Sequence, residues 1–325
     1  MHYNRKMTST PFHSTLFSLA YPAHSEAFNN LVFDDIKLAL HEDVGANIAE
    51  DDLTAQLIPA QQTAMARVIT REHAVICGIP WATAAFLQCD NQLHITWLVG
   101  EGDVVQPNQL LCEITGNARA LLTAERCALN FLQLLSAVAT QTRQYVDGIK
   151  YTQAQILDTR KTIPGLRLAQ KYAVAIGGGQ NQRLALYDGI LIKENHIVAA
   201  GSIKAAMQAA IKLAHYHSIK KDSSKKISVQ IEVETLAQLN EALIAGAKSV
   251  LLDNFDLILL GEAVKLNQAY ALQNNEVAAL LEASGGVDLN TVKAIAETGV
   301  DRISVGSLTK NIRAIDLSMR ITSSA

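Results

Sequence analysis

Residues 155–177 read QILDTRKTIPGLRLAQKYAVAIG. An apolar run of strand length ends at Asp158, Arg160 and Lys161, a Pro-Gly break follows, and the rest has the periodicity of a helix. The same order of strand and then helix recurs along the chain, with further apolar runs at DGILIKEN, SVQIEVE, SVLLDNF, AALLEASGG and DRISVGS. This repetition predicts a parallel sheet, either in an α/β barrel or in a doubly wound sheet.

The chain before this repeat has a mixed pattern. An amphipathic helix is predicted at FDDIKLALHEDVG, short strands within ARVITREHAVICGI and LHITWLVGEGDVV, and a long helix at TAERCALNFLQLLSAVATQTRQYVDGI. The contrast between the two patterns indicates two domains.

Composition limits the class of protein. The chain has 325 residues, 49% of them hydrophobic, and a formal net charge of -3, which is typical of a globular protein without general affinity for nucleic acid. The sequence has no apolar run long enough to span a membrane and no convincing secretory signal in its first 25 residues, so we expect a flexible tail and a cytoplasmic protein. The four cysteines form no CxxC pair and are expected to be buried, reduced thiols.

Charged or small polar residues follow nearly every strand of the repeat. In (β/α) barrels the ends of several strands build the active site on one face. One such ending means little, because polar residues commonly follow strands, but six in a row favour a site. The endings are Asp158/Arg160/Lys161, Lys193/Glu194/Asn195, Glu232/Glu234, Asp253/Asn254, Glu282/Ser284 and Ser304/Gly306/Ser307.

Cations are concentrated in one part of the repeat. Residues 158–193 contain six Lys or Arg residues and only two acids. Arg167 and Lys171 are also compatible with a solvated helix face, whereas Arg160, Lys161 and Lys193 directly follow strands. The cluster predicts a substrate that carries several negative charges, since the arginine fork suits carboxylates and phosphates.

Glycines in the last two repeats indicate a phosphate site. Residues 284–286 (SGG) precede the helix pattern LNTVKAIAE, and residues 305–307 (VGS) precede LTKNIRAIDLSMR, which we also interpret as a helix. Glu232 and Asp253 end neighbouring strands and suit either Mg²⁺ and sugar hydroxyls or ion pairs with the nearby cations.

Two other motifs are excluded. VGEGDVVQPNQLL is similar to part of a biotinyl or lipoyl carrier domain, but residues 81–120 contain no lysine for attachment. IGGGQNQR matches neither glycine-rich nucleotide-binding spacing.

The stretch DTRKTIPGLRLAQKYAVAIGGGQNQRLALYDGILIKENH closely resembles the central signature of the quinolinate phosphoribosyltransferases. The resemblance extends over about residues 30–322 and includes LLTAERCALNFLQ, IEVETLAQL, VLLDNF, LEASGGV and ETGVDRISVGSLTK in the family's order. It implies an α/β fold with an N-terminal α/β sandwich domain (residues 26–136, completed by 310–325) and an incomplete, TIM-like (β/α) barrel (137–309) after a tail (1–25).

The resemblance also implies a reaction and its participants. The family's enzymes, which are pentosyltransferases, join quinolinate to 5-phosphoribosyl-1-pyrophosphate with Mg²⁺ and give nicotinate mononucleotide, pyrophosphate and CO₂, on the route to NAD. The implied assembly is a homodimer or a hexamer, with no nucleic-acid or membrane partner.

The matching residues divide into groups by implied role. Those matching the quinolinate pocket are Arg126 (supplied by the neighbouring subunit), Arg160, Gln182, Arg183 and Lys193. Those matching catalytic residues are Lys161, Glu232 and Asp253, of which Lys161 faces the sugar donor and the two carboxylates lie on the ribose and metal side. Those matching the 5′-phosphate loops are Ser284, Gly285, Gly286 and Gly306.

Gln182 departs from the family pattern, since many members have Asn-His-Arg where this chain has Asn181-Gln182-Arg183. Gln can donate a hydrogen bond to a carboxylate but carries no charge. Because the surrounding cations are intact, we expect retained activity with Gln182 as a neutral substitute. Three alternatives stay open. They are a related phosphoribosyltransferase for another anionic ring such as nicotinate, a molybdenum-associated paralogue, and a non-catalytic protein that binds phosphosugars.

Overall fold

The structure, a computed structural model, describes residues 22–23, 25–220 and 227–322. Most of the tail predicted for residues 1–25 therefore lies outside the described residues. The chain divides into two compact units. The first comprises Met1–Arg143, Pro164–Gly178 and Asn311–Ala325, and the second comprises Gln144–Ile163 and Gly179–Lys310.

Helices and strands alternate through most of the described chain. The helices are α1 (Glu26–Val44), α2 (Ile48–Asp51), α3 (Ile79–Cys89), α4 (Ala118–Gly148), α5 (Arg167–Ile176), α6 (Glu194–Ala200), α7 (Ile203–Lys220), α8 (Leu236–Ile244), α9 (Leu257–Asn274), α10 (Val292–Glu297) and α11 (Ser307–Lys310). The strands are β1 (Thr63–Thr70), β2 (Ala74–Val75), β3 (His94–Trp97), β4 (Val104–Val105), β5 (Leu110–Asn117), β6 (Gln155–Leu157), β7 (Gly189–Ile192), β8 (Ser228–Val233), β9 (Ser249–Asp253), β10 (Leu280–Ser284), β11 (Arg302–Ser304) and β12 (Leu317–Thr322).

The first unit is built on an antiparallel sheet with the strand order β12-β1-β5-β3. Residues along β1 alternate between the buried and the more exposed face, as expected for a sheet covered on one side. Three aromatic rings from α1, α3 and α5 form a buried cluster, in which the ring centroids of Phe28, Trp81 and Tyr172 lie 5.2–5.7 Å apart. Sheet and helices together give the expected α/β sandwich.

The helix predicted over residues 308–320 is wrong. Only Ser307–Lys310 is helical, and Leu317–Thr322 is the edge strand β12, which pairs antiparallel with β1. Leu317 and Met319 alternate with polar neighbours and are buried, which is the period of a strand. Hydrogen bonds to an open sheet edge therefore decide the structure of this segment, because they satisfy its backbone groups.

The second unit contains a parallel sheet with the strand order β6-β11-β10-β9-β8-β7. Strands β7 to β11 follow one another in chain order, and β6 lies beside β11, so the sheet winds in one direction around a barrel with its opening between β6 and β7. A doubly wound sheet would instead reverse its order in the middle. The incomplete barrel expected from the sequence is confirmed, and its strands end together at one rim.

Among the described residues, no single helix is long and apolar enough to cross a membrane, although α6 and the first part of α7, bent by 97°, together meet that length and composition. The four cysteines are free, and Cys77, Cys112 and Cys127 are buried as the sequence predicts, whereas Cys89 is only half-buried.

Candidate active site

Two arginines meet at the rim of the barrel. Arg160 follows β6, and its Nε atom is buried without a hydrogen-bond partner among the described residues. Arg183 precedes β7 and donates from Nη1 to the carbonyl of Gly189 at 2.9 Å. Burial lowers the pKa of Arg183, and the positive charge of Arg160 lowers it further. Two like charges held close together, one with an unused donor, are suited to binding an anion between them.

A buried carboxylate fixes the segment that carries Arg183. Asp158 is fully buried, and it accepts hydrogen bonds from Asn181 Nδ2 at 2.7 Å and from the backbone N–H of Gln182 at 2.9 Å. The side chain of Gln182 donates from Nε2 to Gln230 at 2.8 Å and to Glu282 at 3.4 Å. Asp158 thus ties the segment before β7 to the end of β6.

Lys193 and Glu232 form an ion pair above β7 and β8. Lys193 Nζ lies 2.5 Å from Glu232 Oε2, and the side chains are 48% and 14% exposed, respectively. The backbone N–H of Lys193 donates to His196 Nδ1 at 3.0 Å, which anchors the residue at the start of α6. A long, half-exposed lysine can rearrange towards a bound anion, whereas the more enclosed carboxylate stays in place.

Asp253 and Ser284 lie side by side at the ends of β9 and β10, where they are partners in the strand register. Asn254 stabilises this end of the sheet, because its Nδ2 donates to Asp253 Oδ2 at 2.9 Å and its backbone N–H donates to the carbonyl of Ser284 at 2.9 Å. Asn254 has a φ of 56°, and Gly285 beside it has a φ of 106°. A Cβ atom on Gly285 would collide with Asn254 Oδ1, so the close approach of the two loops requires glycine.

Lys161 lies against the loop that follows the last barrel strand. Its carbonyl accepts a hydrogen bond from Thr309 Oγ1 at 2.7 Å, and its backbone N–H donates to Thr159 Oγ1 at 3.0 Å. A Cβ atom on Gly306 would lie 3.3 Å from Lys161 Cδ and 4.0 Å from its Nζ. The lysine ammonium and the glycine backbone therefore face the same space.

The residues at the rim fit a Mg²⁺ ion that is shared with a substrate. Glu232 and Asp253 come from neighbouring strands, and Mg²⁺ is usually held by one or two carboxylates together with water and substrate phosphates. The described residues contain no group of three or more His, Cys, Asp or Glu side chains that could enclose a metal. The pair thus suits joint coordination with phosphates rather than a cage made by the protein alone.

The structure brings most of the predicted site residues to one rim. Arg160 and Arg183 are neighbours, as are Lys193 and Glu232, and Lys161 lies beside Gly306. Arg126 belongs to the first unit, where it is exposed on α4 and lines a pocket of about 210 Å³ together with Ala39, Glu42, Asp43, Cys127, Asn130 and Phe131.

The strand-end pattern includes Asn254 and Glu282 but gives neither a role, and it misses the buried Gln230. The polar letters inside the apolar runs SVQIEV and LLEAS were the available signal.

Comparison with known proteins agrees with this arrangement. Residues 52–136 match the family model of the quinolinate phosphoribosyl transferase N-terminal domain, and residues 138–320 match that of the C-terminal domain. The chain is 37% identical over 281 residues to the probable carboxylating nicotinate-nucleotide pyrophosphorylase of Bacillus subtilis, covering 86% of this chain and 90% of that protein.

Two further matches extend over nearly the whole length of the related protein. The carboxylating nicotinate-nucleotide pyrophosphorylase of Mycobacterium leprae is 37% identical, with 88% of this chain and 95% of that protein covered. The structure of the Francisella tularensis nicotinate-nucleotide pyrophosphorylase superposes with a TM-score of 0.80 at 44% identity, covering 90% of this chain and 97% of that one. Both domains, the fold and the order of the site residues thus lead to one conclusion: the chain belongs to the quinolinate phosphoribosyl transferase family.

Proposed function

We propose that this protein transfers the phosphoribosyl group of 5-phosphoribosyl-1-pyrophosphate to quinolinate, with loss of CO₂, and so produces nicotinate mononucleotide and pyrophosphate for NAD biosynthesis in the cytoplasm. The observation that carries the proposal is the pair of neighbouring guanidiniums, Arg160 with its unpaired, buried Nε and Arg183 with its lowered pKa. Relatives that cover both domains are named for the same reaction.

The cationic side of the rim is assigned to quinolinate. Its two carboxylates need two sets of donors, which Arg160, Arg183 and Lys193 supply. A ring acid with a single carboxylate would leave one of the two arginines without a substrate carboxylate, so the pair of arginines favours quinolinate over nicotinate. Holding the ring at both carboxylates also directs its nitrogen towards the ribose.

The opposite side of the rim is assigned to the sugar donor. Lys161 and the backbone at Gly306, together with Ser284, Gly285 and Gly286, would bind its phosphates. Glu232 and Asp253 would hold Mg²⁺, whose charge offsets that of the pyrophosphate. The donor thus lies between carboxylates on the ribose side and cations on the phosphate side.

The chemistry follows from the placement of charge. The ring nitrogen of quinolinate forms a bond to C1 of the ribose as the bond between C1 and the pyrophosphate oxygen breaks. Positive charge develops on the ribose, and the carboxylates of Glu232 and Asp253 stabilise it. The ring nitrogen is then cationic, and its charge stabilises the electron pair that stays on the adjacent ring carbon as the bond to the 2-carboxylate breaks, so that CO₂ leaves and this carbon takes up a proton.

We further propose that the enzyme is an oligomer with two-fold symmetry in which Arg126 completes the quinolinate site of a neighbouring subunit. Arg126 is exposed on a helix outside the barrel, and no carboxylate oxygen of the described residues lies within 4 Å of its guanidinium. An exposed arginine without an ion-pair partner is available to a substrate in another subunit.

One assay tests the reaction and the substrate together. The purified protein is incubated with 5-phosphoribosyl-1-pyrophosphate, Mg²⁺ and either quinolinate or nicotinate, and CO₂ and nicotinate mononucleotide are measured. We expect turnover with quinolinate, at least about tenfold less with nicotinate because leaving a partly buried guanidinium without its carboxylate partner costs about 1–3 kcal/mol, and none after EDTA treatment.

Arg160→Met should abolish the reaction, whereas Arg313→Met, at an ion pair with Glu72 in the other unit, should not. Equal turnover of both acids would contradict the assignment of a dicarboxylate pocket, and absence of product from quinolinate would contradict the function itself.

A further inference from the structure

Glu282 lies inside the barrel rather than at its rim. It is a residue of β10, level with Leu251 of β9 and Arg302 of β11, and it is 1% exposed. Its carboxylate accepts hydrogen bonds from Gln230 Nε2 at 2.8 Å, from Gln182 Nε2 at 3.4 Å and from Ser304 Oγ. All three donors are neutral.

A carboxylate with only neutral donors is an unfavourable core residue. Within the part of the chain that the structure describes, no Lys, Arg or His nitrogen lies within 4 Å of the Glu282 carboxylate. Burying a charge costs more than burying an apolar side chain of the same size, even when hydrogen bonds are made. Stability of the barrel alone therefore does not account for Glu282.

The hydrogen bonds of Glu282 determine how the Gln182 amide is turned. Gln182 Nε2 donates to Gln230 Oε1 and to Glu282, which leaves Gln182 Oε1 to accept from the backbone N–H of Arg183 at 2.9 Å. If the amide were reversed, its NH₂ group would face the Arg183 N–H, and two donors would meet.

The segment Asn181–Arg183 is thus held from two sides. Asp158 binds the side chain of Asn181 and the backbone of Gln182, while Glu282 and Gln230 bind the side chain of Gln182. Arg183 follows directly, donates to the carbonyl of Gly189, and lies near Arg160. Its place in the pocket depends on both attachments.

We propose that Glu282 is a positioning residue for substrate recognition, acting through Gln230 and Gln182 to fix Arg183 in the carboxylate pocket. The inference rests on the proposed function, because it takes a substrate carboxylate as the partner of Arg183. It also gives Gln182 a role that needs no charge, since an amide both donates to Glu282 and accepts from Arg183.

The test replaces the Glu282 carboxylate, which only accepts hydrogen bonds, with an amide of nearly the same shape that also donates them. In Glu282→Gln the new amide presents an NH₂ group or a single acceptor to two amide donors, so the network cannot be satisfied. We expect the Kd and KM for quinolinate to rise about tenfold or more, as for other residues that orient a binding group, while the KM for 5-phosphoribosyl-1-pyrophosphate changes less than about twofold.

The double variant Gln230→Glu/Glu282→Gln restores the pattern from the other side. A carboxylate at position 230 accepts from Gln182 and from the new amide at 282, whose oxygen accepts from Ser304. Quinolinate binding should return to within about threefold of the wild type. If Glu282→Gln does not fold, Gln230→Met takes its place, because it leaves Gln182 without one acceptor. The Kd and KM for quinolinate are measured as before, and the same rise is expected.

Asn267→Ala is the structural control. Asn267 is buried on α9 and bonds both the N–H and the carbonyl of Ala279, but it is not part of the network. It should lower the Tm and leave the quinolinate Kd unchanged.

Quinolinate binding, measured by calorimetry, separates the outcomes. If Glu282→Gln lowers only the Tm, as Asn267→Ala does, or if the folded double variant fails to regain binding, the positioning role is overturned. A wild-type protein that binds no quinolinate would instead overturn the proposed function, and this inference with it.

Discussion

Single residues at the strand ends set the geometry of the side of the site that is assigned to the sugar donor. Asp253 is held by Asn254, and Asn254 is in turn packed against Gly285, where any side chain would strike its amide oxygen. The pattern of polar strand endings predicts Asp253, because a carboxylate after a buried strand is visible in the sequence. It does not predict the support from Asn254, since that depends on a positive φ and on a loop about 30 residues further along.

Gly285→Ala tests this support. The added methyl group would push Asn254 away from Asp253, so we expect kcat to fall about tenfold or more while the Kd for quinolinate stays unchanged. Gly246→Ala is a matched control, because Gly246 also has a positive φ but no atom lies within 4 Å of the point that its Cβ would occupy. It should cost about 1 kcal/mol of stability and leave kcat intact. Equal losses of kcat in both variants would show that backbone strain alone is responsible.

The first turn of α3 shows how a distant loop completes an element. The N-cap residue of this helix is Gly78, which has no side chain to accept a capping hydrogen bond. Instead, Glu101 Oε1 accepts hydrogen bonds from the N–H groups of Gly78 at 2.8 Å and Ile79 at 2.6 Å. Glu101 as a whole is half-buried, but its Oε2 atom is buried. Burial raises the pKa of Glu101 to about 7, against the lowering effect of these hydrogen bonds.

A raised pKa in the folded state makes a specific prediction for stability. The native protein holds this proton more tightly than the unfolded chain, so the contribution of Glu101 is fully present below the unfolded pKa of 4.5 and is lost as the pH rises to about 7. The loss amounts to about 3 kcal/mol. Glu101→Gln keeps an acceptor for the helix and removes the titration.

Denaturant unfolding at several values between about pH 4 and 8 provides the measurement. The free energy of unfolding of Glu101→Gln, relative to that of the wild type, should rise with pH across this window. Two curves that run parallel would mean that Glu101 titrates alike in the folded and unfolded chains.

Elements were predictable where they follow local periodicity. The six barrel strands are visible in the sequence because each apolar run is continuous, and several of the helices between them are visible because they have a helical period. The segment after α11 was not, since its apolar residues suit a helix as well as a strand. Its pairing with β1, more than 240 residues earlier in the chain, decides between them.

At the scale of the whole molecule, the site is proposed to need two chains. Arg126 lies on α4 among Asn130, Glu42 and Asp43, and the described residues give it no ion pair. The strand-end argument applies only to the barrel, so it does not account for Arg126. Only the family resemblance assigns this residue to a substrate site, and the assignment makes oligomerisation a requirement for catalysis.

Complementation tests whether Arg126 acts in the active site of its own chain or in that of a partner subunit. Arg126→Ala and Lys193→Ala should each be nearly inactive. Refolded together as random dimers, they should recover about a quarter of wild-type activity, because half of the dimers are mixed and each mixed dimer has one intact site. Lys193→Ala refolded with Glu232→Ala is the matched control, since both residues belong to the same barrel and no mixed dimer regains a complete site. If Arg126→Ala behaves like this control although mixed dimers form, the arginine acts within its own chain or not at all, because a residue supplied by a partner must be restored by that partner.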